Sequence, residues 1–273
     1  LRMIITGKYP KLRMRRSRKT DWMRRLVREN SLSSNDFILP IFVTEGKNKK
    51  IPIKTMPEVF RYSVDKLGQI VDRALKLKIP MVAIFPQTNS GLKDSYGSEA
   101  LNENNLVCKA IRKIKDKYKN EIGIMTDVAL DPYTSHGHDG ILRNKRILND
   151  ETIEILIQQS LLQAQMGSDV IAPSDMMDGR IGEIRQELDN NSLKDIKILS
   201  YAVKYASSFY GPFRDAVGSK KSLKGDKKTY QMDFSNSEEA LREVALDIKE
   251  GADLVMVKPG LPYLDIIKKV KEN

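Results

Sequence analysis

Apolar runs of strand length alternate along the chain with longer segments whose apolar residues recur at helical spacing. The runs are continuously apolar, which is typical of strands in a parallel sheet covered on both faces. The predicted strands are Phe37–Val43, Met81–Phe85, Ile122–Leu130, Asp169–Ala172, Ile196–Tyr201 and Leu254–Val257. The predicted helices are Val64–Leu77, Asn102–Lys119, Glu151–Met166, Arg180–Leu188 and Ser237–Glu250.

Start and stop signals flank two of the predicted helices. Ser235 and Glu238 have the spacing of a capping box before the last helix, and Gly251 and Gly167 predict left-handed caps. No internal repeat and no glycine-rich phosphate loop interrupts the alternation. The repeated strand–helix units predict an α/β fold with right-handed crossovers.

Polar and charged residues gather directly after the predicted strands, in segments 127–139, 174–180, 204–214 and 258–260. A (β/α)8 barrel keeps its chemistry at the C-terminal ends of several strands, so this pattern favours a TIM barrel over an open sheet. Six strands are predicted instead of eight, and the sequence ends in the helix after the sixth. We therefore expect a TIM (β/α)8 barrel truncated after the sixth strand–helix unit.

Composition excludes several classes of protein. The 273 residues are 40% hydrophobic and 30% charged, which is the balance of a folded globular chain. The single cysteine, Cys108, excludes a disulfide framework and any multi-cysteine zinc or iron–sulfur site, and we interpret it as a small buried residue on a helix. No apolar run approaches the roughly 20 residues that span a bilayer, and no signal peptide is recognisable, so we expect a cytoplasmic location.

The net charge of +11 is concentrated at the N-terminus. Residues 1–29 hold eleven basic and two acidic residues, so the remainder is nearly neutral. We predict a basic N-terminal arm over residues 1–30 and a catalytic domain over 31–273. Packing of the arm on a neighbouring subunit is favoured over polyanion binding, because no aromatic-rich face accompanies the charge. A second basic cluster predicts a mobile loop and comprises Lys220, Lys221, Lys224, Lys227 and Lys228.

Two lysines follow consecutive predicted strands. Lys204 and Lys258 would face each other at one end of a barrel, where burial and a neighbouring cation lower an ammonium pKa. A neutral amine can attack a ketone and form a Schiff base. The alternative for Lys258 is an ammonium that reaches solvent along its own stem. Arg214 could bind a substrate carboxylate, with a surface ion pair as its alternative.

Segment 126–140 contains both histidines of the chain, His136 and His138, together with Asp127, Asp131 and Asp139. This set of side chains could bind a metal. The Asp, Ser and Gly residues between them are equally typical of turns in a polar lid, which is the interpretation we favour.

Five long segments resemble the delta-aminolevulinic acid dehydratase family, also called porphobilinogen synthases. They are TDVALDPYTSHGHDGI, APSDMMDGRIGEIR, SYAVKYASSFYGPFRDAVGS, GDKKTYQMD and MVKPGLPYLDI. The resemblance covers nearly the whole chain from about Pro10. It implies a TIM barrel whose arm embraces a neighbouring subunit, usually in an octamer. It also implies a lyase of tetrapyrrole and heme biosynthesis, which condenses two 5-aminolevulinate molecules to porphobilinogen with loss of two waters.

The resemblance also implies roles for individual residues at two substrate positions, called the P site and the A site. Lys258 would form the Schiff base in the P site and Lys204 the one in the A site. The implied substrate-binding residues are Arg214, Lys227 and Gln231, which hold the A-site carboxylate beneath the lid, and Asp127 and Ser174, which line the site.

Three positions in segment 126–140 indicate which metal the resemblance implies. Zinc-dependent members of the family carry cysteines where this chain has Ala129, Asp131 and Asp139. The chain therefore resembles the aspartate-type branch, which responds to Mg²⁺ and needs no catalytic zinc. In that branch an allosteric Mg²⁺ is held largely through waters near the glutamate that is Glu243 here. Without the resemblance, Glu243 would be interpreted as an ordinary glutamate on a helix surface.

The sequence differs from the family pattern at its end. It stops at Asn273, whereas the family continues for two more strand–helix units that supply a serine and a tyrosine for the P-site carboxylate. We therefore expect a fragmentary sequence, and we expect a chain that ended here to be insoluble or inactive. Three alternatives remain: a truncated inactive subunit, a Schiff-base aldolase that needs a single lysine, and a nucleic-acid-binding protein that uses the arm.

Overall fold

The computed structural model describes residues 7–219 and 223–273; Arg2, Lys220 and Lys221 of the predicted basic segments lie outside them. The strands within these ranges are β1 Ile38–Thr44, β2 Lys50–Pro52, β3 Phe60–Ser63, β4 Met81–Gln87, β5 Gly123–Val128, β6 Ile141–Arg143, β7 Arg146–Leu148, β8 Val170–Pro173, β9 Lys197–Lys204 and β10 Leu254–Lys258. The α-helices are α1 Asp21–Leu26, α2 Leu67–Lys76, α3 Leu106–Tyr118, α4 Asn149–Gln165, α5 Arg180–Asn190, α6 Gly211–Ala216, α7 Ser237–Glu250 and α8 Leu264–Glu272.

Eight of these strands form one sheet in the order β10-β9-β8-β5-β4-β1-β3-β2. Every neighbouring pair from β10 to β3 is parallel, and only β2 runs antiparallel to its neighbour. Strands β6 and β7 form a separate antiparallel pair. The carboxyl ends of the six predicted strands therefore meet at one edge, and the predicted α/β class is confirmed.

All six predicted strands are present, with shifted ends. The most consequential shift is at β9, which continues to Lys204 although the prediction ended at Tyr201; likewise β10 includes Lys258. Both lysines are thus the last residues of strands and share the strands' backbone hydrogen bonds. The short strands β2, β3, β6 and β7 were not predicted, because three or four residues are too few to establish a period.

The structure confirms two of the three predicted helix caps. Gly167 and Gly251, both with φ of 108°, follow α4 and α7 in the left-handed region, as predicted. The predicted capping box at Ser235 is wrong, because α7 begins one residue later with Asn236 as its N-cap. The Asn236 amide instead donates to Glu239 at 2.8 Å.

Apolar residues of the sheet pack against helices on one side and against α6 on the other. Ile41 and Ile84 pack with α2 and α3, and Ile171 packs with α4 and α5. On the opposite face, the ring of Phe213 in α6 lies 5.1 Å from that of Phe85 and 6.2 Å from that of Phe42, between ring centroids. This aromatic layer lies beneath the carboxyl ends of the strands.

Residues 7–37 contribute little to this core. The 3-10 helix Met14–Arg18 and helix α1 contain no buried residue. Large apolar side chains point into solvent there, including Trp22 at 58% and Leu26 at 73% exposure. Among the described residues, none of the helices combines the length and apolarity required to cross a bilayer.

Candidate active site

A bulge in β9 brings the two strand-end lysines opposite each other. Leu254 of β10 pairs with Leu199 of β9, whereas Lys258 pairs with Lys204, so β9 has one more residue than β10 between these pairs. Side chains alternate along a strand, and residues in register on parallel strands share a face. Both ammonium groups accordingly lie near the Tyr201 ring, with Nζ atoms 4.7 Å (Lys258) and 5.8 Å (Lys204) from its centroid.

Aromatic rings surround the Lys258 ammonium. Its Nζ lies 4.5 Å from the centroid of Phe213 and 5.9 Å from that of Phe85, in addition to the contact with Tyr201. Burial and, to a smaller extent, the nearby charge of Lys204 together lower the pKa of Lys258 to about 8. These surroundings differ from the alternative in which the ammonium reaches solvent, and they leave a substantial fraction of neutral amine near neutral pH.

Lys204 is held by the loop after β8. Its Nζ donates a hydrogen bond to the carbonyl oxygen of Ser174 and lies 3.9 Å from Oδ2 of Asp139. The side chain of Lys204 is buried. The strand end and the Ser174 loop thus fix this ammonium beside a carboxylate.

Lys227 also lies in the protein interior, contrary to the mobile solvated loop that its cluster predicted. Its Nζ is 2.8 Å from Oδ1 of Asp139 and 3.5 Å from Oδ2 of Asp131. Although burial acts in the opposite direction, the ammonium groups of Lys204 and Lys227 lower the pKa of Asp139. Burial raises the pKa of Asp131 to about 6, so this carboxyl can hold a proton near neutral pH.

Seven predicted site residues line one small cavity at the carboxyl ends of the strands. The cavity is about 30 Å³; Arg214, Lys227 and Gln231 also line a neighbouring cavity of about 320 Å³, and Lys258 a third of about 490 Å³. The lining residues are Asp127, Asp131, Ser174, Lys204, Tyr210, Phe213, Arg214, Lys227, Gln231 and Lys258. The segment 223–231, here called the covering segment, carries Lys227 and Gln231 of this lining.

The chain matches the family model for delta-aminolevulinic acid dehydratase over residues 11–273. The delta-aminolevulinic acid dehydratase of Bradyrhizobium diazoefficiens is 58% identical over 262 residues, which are 96% of this chain and 74% of the relative. That of Rhodobacter capsulatus is 49% identical, over 98% of this chain and 81% of the relative. The chain belongs to the delta-aminolevulinic acid dehydratase family.

A solved structure agrees with this dehydratase assignment. The delta-aminolevulinic acid dehydratase (porphobilinogen synthase) of Toxoplasma gondii ME49, in complex with the reaction product porphobilinogen, superimposes with a TM-score of 0.91. The two sequences are 44% identical, and the match covers 96% of this chain and 74% of the other. The predicted TIM-barrel class is confirmed by this match.

The sequence did not predict that Asp131 and Asp139 of this dehydratase-family chain lie beside the cavity lysines. Asp131 and Asp139 had been considered as metal ligands or as lid residues, yet they contact Lys227 directly. The described part of the chain contains no group of three or more His, Cys, Asp or Glu side chains arranged to hold a metal. The local sequence gave no sign of the ion pair, because Lys227 lies 88 residues from Asp139.

Glu243 lies apart from the dehydratase lysines. It is half-buried on α7 and lines a second, polar cavity of about 620 Å³ together with Asp178, Glu239 and Arg146. Burial raises the pKa of Glu243, and the charge of Asp247 raises it further. The structure thus separates the predicted metal-binding residue from the predicted Schiff-base residues.

A buried ion-pair network lies behind the lysine cavity, between β8 and α7. The Arg180 guanidinium is 3.6 Å from the Asp175 carboxylate and 3.5 Å from that of Asp247. Asp247 also accepts a hydrogen bond from the hydroxyl of Ser200 in β9. Because Asp175 follows Ser174 directly, the network fixes the loop whose carbonyl holds Lys204.

Proposed function

We propose that this chain condenses two 5-aminolevulinate molecules to porphobilinogen with loss of two waters, as a lyase of heme biosynthesis, and that Lys258 and Lys204 form the Schiff bases. The observation that carries the proposal is the pairing of a buried lysine, Lys204, with the partly buried Lys258, in register on adjacent strands and within one cavity. Each lysine would bind one substrate ketone. The strand spacing then holds the two substrates side by side, which converts their encounter into an intramolecular event.

The chemistry begins at the neutral amine of Lys258. Its nitrogen forms a bond to the ketone carbon of the first substrate, the former carbonyl oxygen takes up one amine proton and one proton from a cavity carboxyl group and leaves as water, and a cationic iminium remains. The positive nitrogen acidifies the adjacent carbon, so that a base can remove a proton there and prepare carbon–carbon bond formation. Lys204 activates the second ketone in the same way.

Carboxylates of the cavity supply proton acceptors and donors for these steps. Asp139 lies beside Lys204 and Lys227, and Asp131, with a pKa of about 6, can change its protonation near neutral pH. Burial also raises the pKa of Asp127, whose charge lies near both Schiff-base lysines. We assign proton transfer to this carboxylate set because, apart from Ser174 and Gln231, the rest of the cavity lining consists of cations and aromatic rings.

Recognition of the substrate carboxylate falls to the cationic side of the cavity. Arg214 and Lys227 provide positive charge, and Gln231 provides an amide donor from the same covering segment. When the segment closes, water is excluded from an iminium that would otherwise hydrolyse. Asp127 and Ser174 complete the lining as proposed substrate contacts.

The test is reductive trapping. Sodium borohydride added with 5-aminolevulinate should reduce the iminium to a stable amine, and peptide mass mapping should find adducts on Lys258 and Lys204. Lys258→Met and Lys204→Met should each reduce porphobilinogen formation at least about a thousandfold, the scale of losing a covalent catalyst. Lys113→Met, at an exposed position of α3, is the matched control. Activity that depends on one of the two lysines only would contradict the proposal and favour an aldolase-type reaction.

We propose Mg²⁺ as an allosteric ligand near Glu243, and no catalytic zinc. The fit rests on charge: burial is the largest cause of the raised pKa of Glu243, and the carboxylates of Asp247, Asp178 and Glu239 raise it further, so a cation would relieve their repulsion. Mg²⁺ keeps several of its waters and needs few direct protein ligands, which suits a roomy polar cavity with one proposed ligand. The chemistry it supplies there is charge compensation at α7, away from the reacting lysines.

Thermal unfolding tests this magnesium site without relying on activity. Added Mg²⁺ should raise the Tm of the wild-type protein, and Glu243→Gln should abolish that increase. Glu154→Gln, at an exposed position of α4, should preserve it. An equal Mg²⁺ response in all three proteins would contradict the assignment.

We propose that residues 1–30 form an arm that packs on a neighbouring subunit of a homo-octamer, and that residues 31–273 belong to the catalytic domain. The exposed apolar side chains of Trp22 and Leu26 support the proposal, because they cover no part of their own chain's core. Light scattering on the Trp22→Glu/Leu26→Glu variant should show a smaller assembly than wild type. An unchanged mass would exclude these residues from the interface.

A further inference from the structure

Both ring nitrogens of His138 contact the covering segment. Nε2 lies 2.7 Å from the carbonyl oxygen of Lys224, and Nδ1 lies 3.1 Å from the hydroxyl of Tyr230. A carbonyl oxygen can only accept, so Nε2 carries the proton and Nδ1 accepts from the Tyr230 hydroxyl. The ring is 4% exposed. A single imidazole therefore fastens the covering segment at two points, on either side of Lys227.

His136 fixes the backbone from which this ring projects. Its carbonyl oxygen accepts the backbone N–H of Lys224 at 3.1 Å, and its Nδ1 accepts the N–H of His138 at 3.2 Å. Its Nε2 lies 3.2 Å from the carbonyl oxygen of Ser95 and therefore donates. The loop 129–140, which the sequence suggested as a lid, is thus a buried support beneath the covering segment.

Tyr230 extends the contact from His138 towards the reacting groups. Its hydroxyl oxygen accepts the backbone N–H of Asp139 at 3.3 Å. The Asp139 carboxylate, 1% exposed, lies between the ammonium groups of Lys227 and Lys204. The chain of contacts runs from His138 through Tyr230 and Asp139 to the A-site lysine.

We propose that His138, as the neutral Nε2–H tautomer, is a positioning residue that fastens the closed covering segment and sets Asp139 against Lys204 and Lys227. The proposal rests on the function proposed above, since it assigns a role within the same site. In this proposal the two ring nitrogens of His138 have different roles, which substitutions can separate. The Nε2 contact with Lys224 retains the segment over bound substrate, and the Nδ1 contact with Tyr230 orients the carboxylate that serves the A site.

Two conservative variants separate these tasks. The amide nitrogen of glutamine occupies the position of Nε2, so His138→Gln keeps the donor to Lys224 and loses the acceptor for Tyr230. The amide oxygen of asparagine reaches the position of Nδ1, so His138→Asn keeps the acceptor and loses the donor. We expect His138→Gln to lower kcat about tenfold at nearly unchanged KM, and His138→Asn to raise KM about tenfold at nearly unchanged kcat. His138→Ala should show both effects.

A double-mutant cycle checks the Tyr230 link. Tyr230→Phe should reproduce the kcat loss of His138→Gln, and the combined variant should lose no more than either single one. Steady-state kinetics are normalised to the fraction of Lys258 trapped by borohydride with 5-aminolevulinate. This normalisation removes any loss due to misfolded protein. Additive losses, or equal kcat losses with unchanged KM in all three His138 variants, would overturn the proposal.

Hydrogen exchange gives a measurement independent of activity. Backbone amides of the covering segment should exchange about tenfold faster in His138→Ala than in wild type, while amides of β4 should be unchanged. Equal exchange of the segment in both proteins would overturn the proposal. Wild-type protein that neither traps 5-aminolevulinate at Lys258 nor forms porphobilinogen would instead refute the proposed function. Active wild type with fully active His138 variants would refute this inference alone.

Discussion

The lowered pKa of Lys258 determines how much of this side chain is the neutral, nucleophilic amine. A fall from 10.5 to about 8 corresponds to about 3 kcal/mol of preference for the neutral form, at roughly 1.4 kcal/mol per pKa unit. At pH 7 about 9% of the side chain is then neutral, compared with about 0.03% for an ordinary lysine. The structure thus supplies a roughly 300-fold increase in the nucleophilic form before any substrate binds.

Neighbouring charges allow this pKa to be moved in both directions. Lys204→Met removes a cation that lowers the pKa of Lys258 and should raise it. Asp127→Asn removes an anion that stabilises the ammonium and should lower it further. The assay is the rate of borohydride trapping of 4-oxopentanoate, the substrate without its amine, at Lys258 across pH 6–11. The wild-type rate should reach half its maximum near pH 8.

Opposite shifts distinguish a local electrostatic cause from general loosening of the site. If a substitution merely admitted water, both variants would move the midpoint upward towards 10.5, because desolvation is the largest contribution. Trapping that reaches half its maximum near pH 10.5 in the wild type, or an upward shift in Asp127→Asn, would refute the reasoning. Lys113→Met should leave the midpoint unchanged.

The lowered pKa of Lys258 also makes the free energy of unfolding depend on pH. Because the folded pKa of Lys258 lies below the unfolded one, the unfolded chain binds more protons between about pH 8 and 10.5, and this group's contribution to stability rises with pH there. Below pH 8 the full cost of about 3 kcal/mol is present. Lys258→Met should therefore have a higher free energy of unfolding than wild type at pH 7, by up to that amount, and the difference should vanish above pH 10.5. Urea unfolding at both pH values measures it.

Three further predictions concern other parts of the fold. Asp247→Ala removes one carboxylate from the buried Arg180 and should lower the free energy of unfolding by about 3 kcal/mol, measured by urea titration; an unchanged midpoint would refute it. Burial raises the pKa of the Cys108 thiol to about 11, so the folded protein should resist iodoacetamide at pH 8 while the unfolded chain reacts rapidly. Lys227→Met removes a cation that lowers the pKa of Asp139, so the acidic limb of the kcat–pH profile should move to higher pH; a downward shift would contradict the assignment.

The fold class and the lysine pair could be predicted from the sequence because both depend on local patterns. Continuous apolar runs mark the central strands; Lys258 directly follows one, and Lys204 follows another after two further apolar residues. The register of β9 against β10 could not be predicted, since the extra residue between Ser200 and Val203 shows only when the two strands pair. The short strands β2 and β3 likewise form through pairing with neighbours and not through their own pattern.

The ion pairs inside the site could not be predicted from the sequence. Lys227 belongs to a run of basic residues whose composition is typical of an exposed loop, yet its ammonium is buried between two carboxylates. Those carboxylates belong to a distant segment, and their combined charge compensates the cost of burying the lysine. Such compensation between remote segments leaves no local signal. His136 and His138 are residue types that bind metals. In this structure, however, their ring nitrogens contact backbone groups and the Tyr230 hydroxyl.

The position of the two lysines on adjacent strands also limits how this catalyst can evolve. Neighbouring parallel strands are separated by about 4.8 Å whatever their side chains, so the separation of the two amine stems is a property of the backbone. Moving the lysine by one position along an otherwise unchanged β9 would turn it to the helix-covered face, because strand side chains alternate. Loops over the cavity can therefore diverge and change which molecules enter. The distance over which the new carbon–carbon bond must form stays the same in every such variant.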